Sequence, residues 1–143
     1  MKLLPGDIVE LDTPAGFAYV QVTHNHPSYP EVVRSLGKFQ KSRPTDLNGL
    51  ASFSHGIKAM VPLGSSIELG RIKGCRVGTA TIPEKHRAFP TFRMEIRDKK
   101  GEVAYWWLWD GEGLKYVTEL DEDGINLPLR EVMSVDRFLQ LNT

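Results

Sequence analysis

Cysteine is nearly absent from this sequence, because only Cys75 among 143 residues carries a thiol. One cysteine can form neither an internal disulfide nor a cysteine-rich zinc site, and free cysteines are among the most buried side chains. We therefore expect Cys75 in the core of a fold that needs no cross-link. A reducing cytoplasm suits such a chain, so the predicted location is cytoplasmic.

Long hydrophobic runs are also missing. Residues 1–7 hold only Leu3 and Leu4 before a Pro-Gly turn, which is too little for the apolar part of a secretory signal. No stretch reaches the roughly 18 apolar residues of a membrane span. Hydrophobic residues make up 41% and charged residues 25%, as in ordinary globular proteins. We expect one soluble β-rich domain, 1–143, with no membrane partner.

Charge of one sign is in excess only locally. The net charge is zero, but residues 1–33 carry −3, residues 34–100 carry +9 and residues 101–143 carry −6. Either the acidic and basic segments face each other in the fold, or this asymmetry steers the encounter with a charged partner. The sequence leaves both alternatives open.

Turn signals and alternating apolar residues predict a β-hairpin near the start of the chain. Strands at 6–11 and 17–23 are separated by residues 13–16, where Pro14 and Gly16 suit a type I turn. In the second strand Ala18, Val20 and Val22 share one face, which is typical of a half-buried strand.

The rest of the chain continues this pattern. Further strands are predicted at 31–36, 57–63, 71–81, 92–97, 103–109 and 114–120. Two short helices are predicted, one after Thr45 and one after Ser134 as N-caps. A series of short strands with few helices predicts a mainly β (α+β) fold. We expect a strongly bent antiparallel sheet or a small β-barrel with two short helices.

Candidate catalytic groups are few. His24 and His26 end a predicted strand on the same side and could chelate a metal, but a zinc site needs about four ligands. The other candidate metal ligands are His55, His86, Asp7 and Cys75. Their spacing matches no zinc motif, and the sequence has no Gly-x-Ser-x-Gly elbow or phosphate-binding loop. We expect no enzymatic activity and no cofactor; a metal-dependent hydrolase using His24 and His26 is an alternative.

All three tryptophans of the chain lie within four residues, at 106, 107 and 109. On a strand, Tyr105, Trp107 and Trp109 face one way, while Trp106 and Leu108 face the other, so both faces are apolar. Either all three indoles are core, or one of them is an exposed anchor for a partner, where aromatic residues concentrate binding energy.

An acidic run follows the tryptophans, with four carboxylates between Glu119 and Asp123. It is either a solvated turn or the contact surface for a basic partner. The predicted partner-binding residues are Trp106, Trp107, Trp109, Asp110, Glu112, Glu119, Asp121, Glu122 and Asp123. An alternative is a nucleic-acid-binding small barrel, disfavoured by the overall neutrality of the chain. That alternative would use Lys38, Lys41, Arg43, Arg71, Lys73 and Arg76.

Three segments carry a resemblance to a known family: 5–9, 16–22 and the Trp106–Gly111 stretch. In these the chain resembles the immunity protein 26 family of bacterial polymorphic toxin systems and its uncharacterised relatives. The resemblance implies a non-enzymatic antidote that binds a cognate toxin in the cytosol, and it supplies no catalytic residue. The resemblance does not extend to the histidine pair or to the acidic run. The predicted function is a protein-binding module of this immunity type.

Overall fold

The computed structural model describes residues 1–53 and 56–141, which fold into a mainly β structure. The chain divides into two compact units, residues 1–87 with 132–143 and residues 88–131. Each unit contains one antiparallel sheet. In the part of the chain described, no helix is both long and apolar enough to cross a bilayer.

The first unit is built on a bent five-stranded sheet in the order β4-β3-β2-β1-β5. Its strands are β1 (Asp7–Thr13), β2 (Gly16–His24), β3 (Val32–Ser35), β4 (Lys58–Met60) and β5 (Lys73–Thr79). Its helices are α1 (Leu47–Ala51), α2 (Leu63–Glu68) and α3 (Val135–Leu141), with a 3-10 turn at Glu84–His86. The sheet is open, with β4 and β5 at its edges. The predicted bent antiparallel sheet is confirmed, and it does not close into a barrel.

The predicted first hairpin is confirmed. Thr13 is opposite Gly16, so β1 and β2 are joined by a two-residue loop. The Thr13 hydroxyl accepts a hydrogen bond from the Ala15 N–H at 3.2 Å and donates one to the Gly16 carbonyl at 2.7 Å. Gly16 has φ +126°, and a Cβ there would lie 2.8 Å from the Gln40 carbonyl oxygen. Only glycine fits this close approach.

The structure has three α-helices where two were predicted. The helix after residue 45 is α1, but its N-cap is Asp46, whose carboxylate accepts from the Gly49 N–H at 2.9 Å. The C-terminal helix is α3, and the Ser134 hydroxyl accepts from the Arg137 N–H. Helix α2 was not predicted, because one turn with Leu63 and Ile67 on the same side is a weak signal. Both of these residues pack on the core.

The first face of the five-stranded sheet carries the larger core. Val9, Val20 and Val22 from β1 and β2 pack there with Phe138 and Leu139 of α3. All of these side chains are at most 8% exposed. Burial of this apolar area is the main stabilising contribution, since it scales with the area removed from water.

The second face is buried as well, so the prediction of a half-buried strand β2 is wrong. Helix α1 covers this face, and Ala51 packs there with Ile8 and Tyr19. The polar neighbours on β2 are also buried and hydrogen-bonded: Gln21 donates to the Ala80 carbonyl at 2.9 Å, and Thr23 donates to Val32 at 3.2 Å. Buried polar groups are tolerated because they have such partners.

Arg34 of β3 is the largest fully buried side chain, at 1% exposed. Its guanidinium donates two hydrogen bonds to Gln21 Oε1, at 2.9 and 2.7 Å, and others to the carbonyls of Ala51 and Phe53. These contacts fasten the end of α1 to the sheet. Burial without a carboxylate partner lowers the pKa of Arg34 to about 10, because desolvation penalises its charged form.

Acidic residues of β1 pair with basic residues from the middle of the chain. Glu10 accepts from Arg43 Nε at 2.8 Å and from the Tyr19 hydroxyl at 2.6 Å. Two longer ion pairs join Asp12 to Lys73 at 3.9 Å and Asp7 to Arg76 at 3.7 Å. Within this unit, the oppositely charged segments therefore face each other, as one of the two alternatives proposed.

Cys75 lies on β5 and is exposed, so its predicted place in the core is wrong. Strand β5 is an edge strand and pairs only with β1. Residue-type statistics favour burial of cysteine, but they do not register whether a strand lies at an edge.

The second unit is a three-stranded antiparallel sheet in the order β6-β7-β8. Its strands are β6 (Phe92–Arg97), β7 (Val103–Trp109) and β8 (Leu114–Val117), followed by a 3-10 turn at Gly124–Asn126. The hairpin predicted at 92–97 and 103–109 is confirmed with the same bounds.

Replacement of Arg34 by methionine should reduce stability strongly. It leaves the buried Gln21 amide oxygen and Ala51 carbonyl without the donors of Arg34, at about 1–3 kcal/mol for each buried group left unsatisfied. We expect Arg34→Met to lower the free energy of unfolding by about 2–5 kcal/mol, measured by urea unfolding with circular dichroism. The matched control Lys73→Met loses the same charge at an exposed site and should stay within about 0.5 kcal/mol. Equal effects of both changes would contradict the assigned role of Arg34.

Glu10 should make the first unit sensitive to acid. The hydrogen bonds from Arg43 and Tyr19 outweigh burial and lower the pKa of Glu10 from its ordinary value of 4.5. Its stabilising contribution is therefore present above 4.5 and is lost as the pH falls through the lowered pKa. We expect the melting temperature of Glu10→Gln to depend less on pH than that of the unmodified chain between about pH 5 and pH 3.

Arg43→Met is the matched control for this experiment, because it keeps the carboxylate of Glu10 and removes its cation. It should flatten the same part of the profile. Parallel profiles for all three proteins would show that Glu10 does not cause the acid response.

Candidate partner-binding surface

Strand pairing collects apolar side chains on one face of the three-stranded sheet. Residues directly opposite each other in an antiparallel sheet carry their side chains on the same face. Phe92 is opposite Trp109, which in turn is opposite Leu114, and the alternate residues along the strands follow. We call this set the aromatic face: Phe92, Met94, Ile96, Tyr105, Trp107, Trp109, Leu114 and Tyr116.

Exposure on the aromatic face is concentrated on strand β8. Phe92 and Trp109 are buried, at 0% and 7% exposed, whereas Leu114 and Tyr116 are 57% and 52% exposed. Trp107 and its neighbours along β6 and β7 are intermediate. The side chains of the aromatic face are therefore buried or half-buried on β6 and β7 and exposed on β8.

Three aromatic rings form a cluster on the open part of this face. The ring centroid of Tyr116 lies 5.0 Å from that of Tyr105 and 6.0 Å from that of Trp107. Tyr105 and Trp107 are 6.2 Å apart. Edge-to-face and tilted contacts of this kind hold each ring in place. A half-exposed tyrosine is thus presented in a defined orientation.

Trp109 supports the face from within. Its ring packs against Phe89 at 5.5 Å and Phe92 at 5.8 Å between centroids, and the Arg130 guanidinium lies 5.2 Å over it. The structure thus places this predicted contact residue in the interior.

The opposite face of the sheet carries charge. Trp106 is intermediate in exposure and lies under the Arg93 guanidinium, 5.2 Å from its ring centroid. Glu95 is opposite Trp106, and Lys115 is opposite Leu108. The expectation that both sides of β7 are apolar holds for β7 itself, but β6 and β8 bring charged side chains to this second side.

Two of the predicted acidic residues hold turns. Asp110 accepts hydrogen bonds from the N–H groups of Glu112 and Gly113 at 3.0 and 2.8 Å. Those bonds, chiefly the one from Gly113, lower the pKa of Asp110 below its ordinary value. Asp121 accepts from the Gly124 N–H at 2.6 Å, at the start of the 3-10 turn. Both carboxylates therefore have local structural partners.

The remaining predicted carboxylates are exposed. We call them the acidic rim: Glu112, Glu119, Glu122 and Asp123. No ion pair involves them among residues 1–53 and 56–141. Glu112 precedes β8 and Glu119 follows it, so carboxylates lie on both sides of the exposed strand along the chain. The second unit holds ten acidic and six basic residues and has a net charge of −4.

The histidine pair is held by local hydrogen bonds. The ring nitrogens of His24 contact the Thr23 hydroxyl at 2.9 Å and the Arg87 carbonyl at 2.7 Å. His26 accepts from the Ser28 N–H at 3.0 Å. Each ring thus makes hydrogen bonds with nearby protein groups, and His55 lies outside the described residues. The described residues bring no three metal-ligating side chains together.

Part of the predicted basic set is neutralised. Arg43, Lys73 and Arg76 each pair with a carboxylate of β1. Lys38, Lys41 and Arg71 are exposed. Half of these six basic side chains are therefore paired with carboxylates of the same sheet.

Leu114 and Tyr116 were not among the predicted contact residues, although a signal was present. A four-residue loop after Trp109 fixes the register of β8, which puts residues 114 and 116 on the same face as Trp109 and Trp107. The sequence does not show which of these strands lies at the edge, and edge position is what exposes their side chains.

Buried and exposed aromatics of this face should differ in their effect on stability. We expect Trp109→Ala to lower the free energy of unfolding by about 3–5 kcal/mol, because it removes a packed ring and leaves a cavity. Tyr116→Ala, on the same face, should cost no more than about 1 kcal/mol. Urea unfolding followed by circular dichroism measures both. A larger loss for Tyr116→Ala would mean that β8 is part of the core.

No family model, curated protein or solved structure matches this chain. The candidate surface combines a fixed cluster of aromatic rings, an exposed strand and, at both ends of that strand, carboxylates that form no ion pair within the described part of the chain.

Proposed function

We propose that the chain is a non-enzymatic protein-binding module that contacts its partner through the aromatic face and the acidic rim. One observation carries this proposal: Leu114 and Tyr116 are more than half exposed on a face otherwise built of aromatic and aliphatic side chains. An exposed apolar surface bordered by polar groups is typical of an interaction site. Tyrosine and tryptophan are also enriched among the residues that dominate binding energy.

The acidic rim supports a basic partner. Its four carboxylates have no cation beside them within the described residues, so each is available for an ion pair with a partner. Charges at the border of an interface mainly raise the association rate, whereas buried aromatic contacts determine the dissociation rate. Tyr105, Trp107 and Tyr116 are thus the proposed anchors, and Trp109 is their support.

The more specific proposal is an immunity protein, whose partner is a cognate bacterial toxin. It rests on the resemblance of the opening hairpin and of the Trp106–Gly111 segment to the immunity protein 26 family. An antidote of this kind works by occupying its toxin and needs no reaction centre. The surface described above is compatible with that role, because its features serve contact rather than catalysis.

The test is titration of the protein encoded beside this chain, followed by surface plasmon resonance. We expect the double change Trp107→Ala and Tyr116→Ala to weaken binding by about 30-fold or more, which corresponds to 2 kcal/mol, mostly through faster dissociation. Charge reversal at Glu119, Glu122 and Asp123 should slow association and reduce its dependence on salt.

The matched control reverses Lys38 and Lys41, two exposed charges of the first unit, and should leave both rates unchanged. The proposal of a toxin antidote is contradicted if the neighbouring protein does not bind. The proposed surface is contradicted if that protein binds and the aromatic and acidic variants bind it as tightly as the unmodified chain.

A further inference from the structure

The backbone of β8 has an open side, and the hydrogen-bond ladder shows which residues face it. In an antiparallel pair, opposite residues alternate between those that exchange hydrogen bonds and those that do not. The Asp110 N–H donates to the Gly113 carbonyl at 3.4 Å, so this pair is bonded. The next pair, Trp109 with Leu114, is then not bonded, and neither is Trp107 with Tyr116. Leu114 and Tyr116 thus turn their N–H and C=O groups away from β7.

The hydrogen bonds of strand β6, at the other edge of the sheet, confirm this alternation of bonded and non-bonded pairs. If Trp107 does not bond to β8, it bonds to Met94, and Arg93 must turn its backbone outward. Arg93 does so: its N–H donates to the Pro128 carbonyl at 2.8 Å, and its carbonyl accepts from the Arg130 N–H at 2.7 Å. The 128–130 segment therefore covers the β6 edge. In the described part of the chain, no such segment bonds to the outward groups of Leu114 and Tyr116.

Strand β5, one of the two edge strands of the five-stranded sheet, has a register irregularity that β8 lacks. Strand β5 has a register shift opposite Ile8 and Val9, and it carries Lys73 and Arg76. Bulges and basic side chains are common means of preventing an edge from pairing with another strand. Strand β8 has regular register and a single lysine, Lys115, on the face opposite the aromatic face. The two β8 residues on the aromatic face, Leu114 and Tyr116, are uncharged.

We propose that a strand of the partner adds to the β8 edge and extends the three-stranded sheet. Its backbone would bond to the outward groups of Leu114 and Tyr116, and its apolar side chains opposite them would lie on the aromatic face. Basic residues at its ends would meet Glu112 and Glu119. This inference rests on the proposed function and specifies how the partner is bound, a mode in which main-chain bonds give affinity and side chains give specificity.

Charge argues for a basic partner strand rather than a second copy of the chain. Antiparallel pairing of two β8 strands through the outward groups of Leu114 and Tyr116 would be centred on Lys115, so that Lys115 of one copy would lie directly opposite Lys115 of the other. Like charges placed directly opposite each other destabilise strand pairing. A strand with an uncharged residue at this position and lysines at its ends avoids that repulsion and neutralises Glu112 and Glu119.

The test uses a blocked synthetic peptide, Lys-Lys-Val-Thr-Val-Lys-Lys, as the probe. Its two valines match the two-residue spacing of Leu114 and Tyr116, and its threonine avoids a charge opposite Lys115. We expect saturable binding with a Kd below about 1 mM in amide NMR spectra of the full chain. The amides of Leu114 and Tyr116 should shift and become protected from hydrogen exchange.

Two control peptides separate the contributions. The same peptide with N-methyl groups on both valines keeps every side chain but lacks the N–H groups that reach the outward carbonyls. It should bind at least about tenfold more weakly, as expected for the loss of backbone hydrogen bonds. The peptide with glutamate in place of lysine should also bind at least about tenfold more weakly, because it meets Glu112 and Glu119 with like charge.

Two variants of this chain test whether the backbone of β8 bonds to the peptide. Tyr116→Ala removes the ring, and Tyr116→Pro removes both the ring and the outward N–H, which an edge strand tolerates because this N–H makes no ladder bond. We expect Tyr116→Pro to bind the probe more weakly than Tyr116→Ala. Should Tyr116→Pro fail to fold, the N-methylated peptide still decides the question.

Three results would overturn this inference. They are no saturable binding of the probe up to about 1 mM, equal binding of the N-methylated peptide, and concentration-dependent self-association that protects Leu114 and Tyr116 without any peptide. None of them bears on whether the neighbouring protein binds through the aromatic face, which the titration of the Trp107 and acidic-rim variants decides. A failure of strand addition and a failure of the proposed function are therefore distinguishable.

Discussion

The buried guanidinium of Arg34 is the interaction on which the arrangement of the first unit depends. A charge taken out of water is tolerated only when its donors are satisfied, and here oxygen atoms of Gln21, Ala51 and Phe53 satisfy them. Two of these oxygens belong to the end of helix α1 and the residues after it. The helix is thereby attached to the second face of the sheet, and this attachment makes both faces of β2 interior.

The second unit buries the apolar face of its sheet only in part, whereas the first unit buries both faces of β2. Its aromatic face is interior at Phe92 and Trp109 but open at Leu114 and Tyr116. Contacts with the rings of Tyr105 and Trp107 fix the Tyr116 ring without covering it, so little conformational freedom of this side chain remains to be lost when a partner binds. A face of this kind is costly to leave in water, which is the physical reason for assigning it to an interface.

The sequence predicted those elements whose signals are local. The strands at 92–97 and 103–109 alternate clearly and are bounded by turn residues, so even their ends were predicted. Helix α2 was missed because its apolar residues form a single turn, and the burial of Arg34 because an arginine in a strand suggests a solvent-facing side.

The same distinction applies to the candidate surface. The tryptophan cluster and the acidic residues were visible as composition, since they are consecutive in the chain. The burial of Trp109 and the exposure of Tyr116 could be assigned only with the strand order, because exposure depends on which strand lies at the edge. Asp110 and Asp121 were predicted to contact a partner, although their carboxylates accept hydrogen bonds that hold turns.

The position of all three indoles on one strand has a practical consequence for spectroscopy. Because β7 belongs to the second unit, all tryptophan emission originates from residues 88–131, while the tyrosines are shared between both units. Emission excited at the red edge of the absorption band would follow the unfolding of the three-stranded sheet separately from that of the five-stranded one. The protein thus carries an intrinsic optical label on the unit proposed to meet its partner.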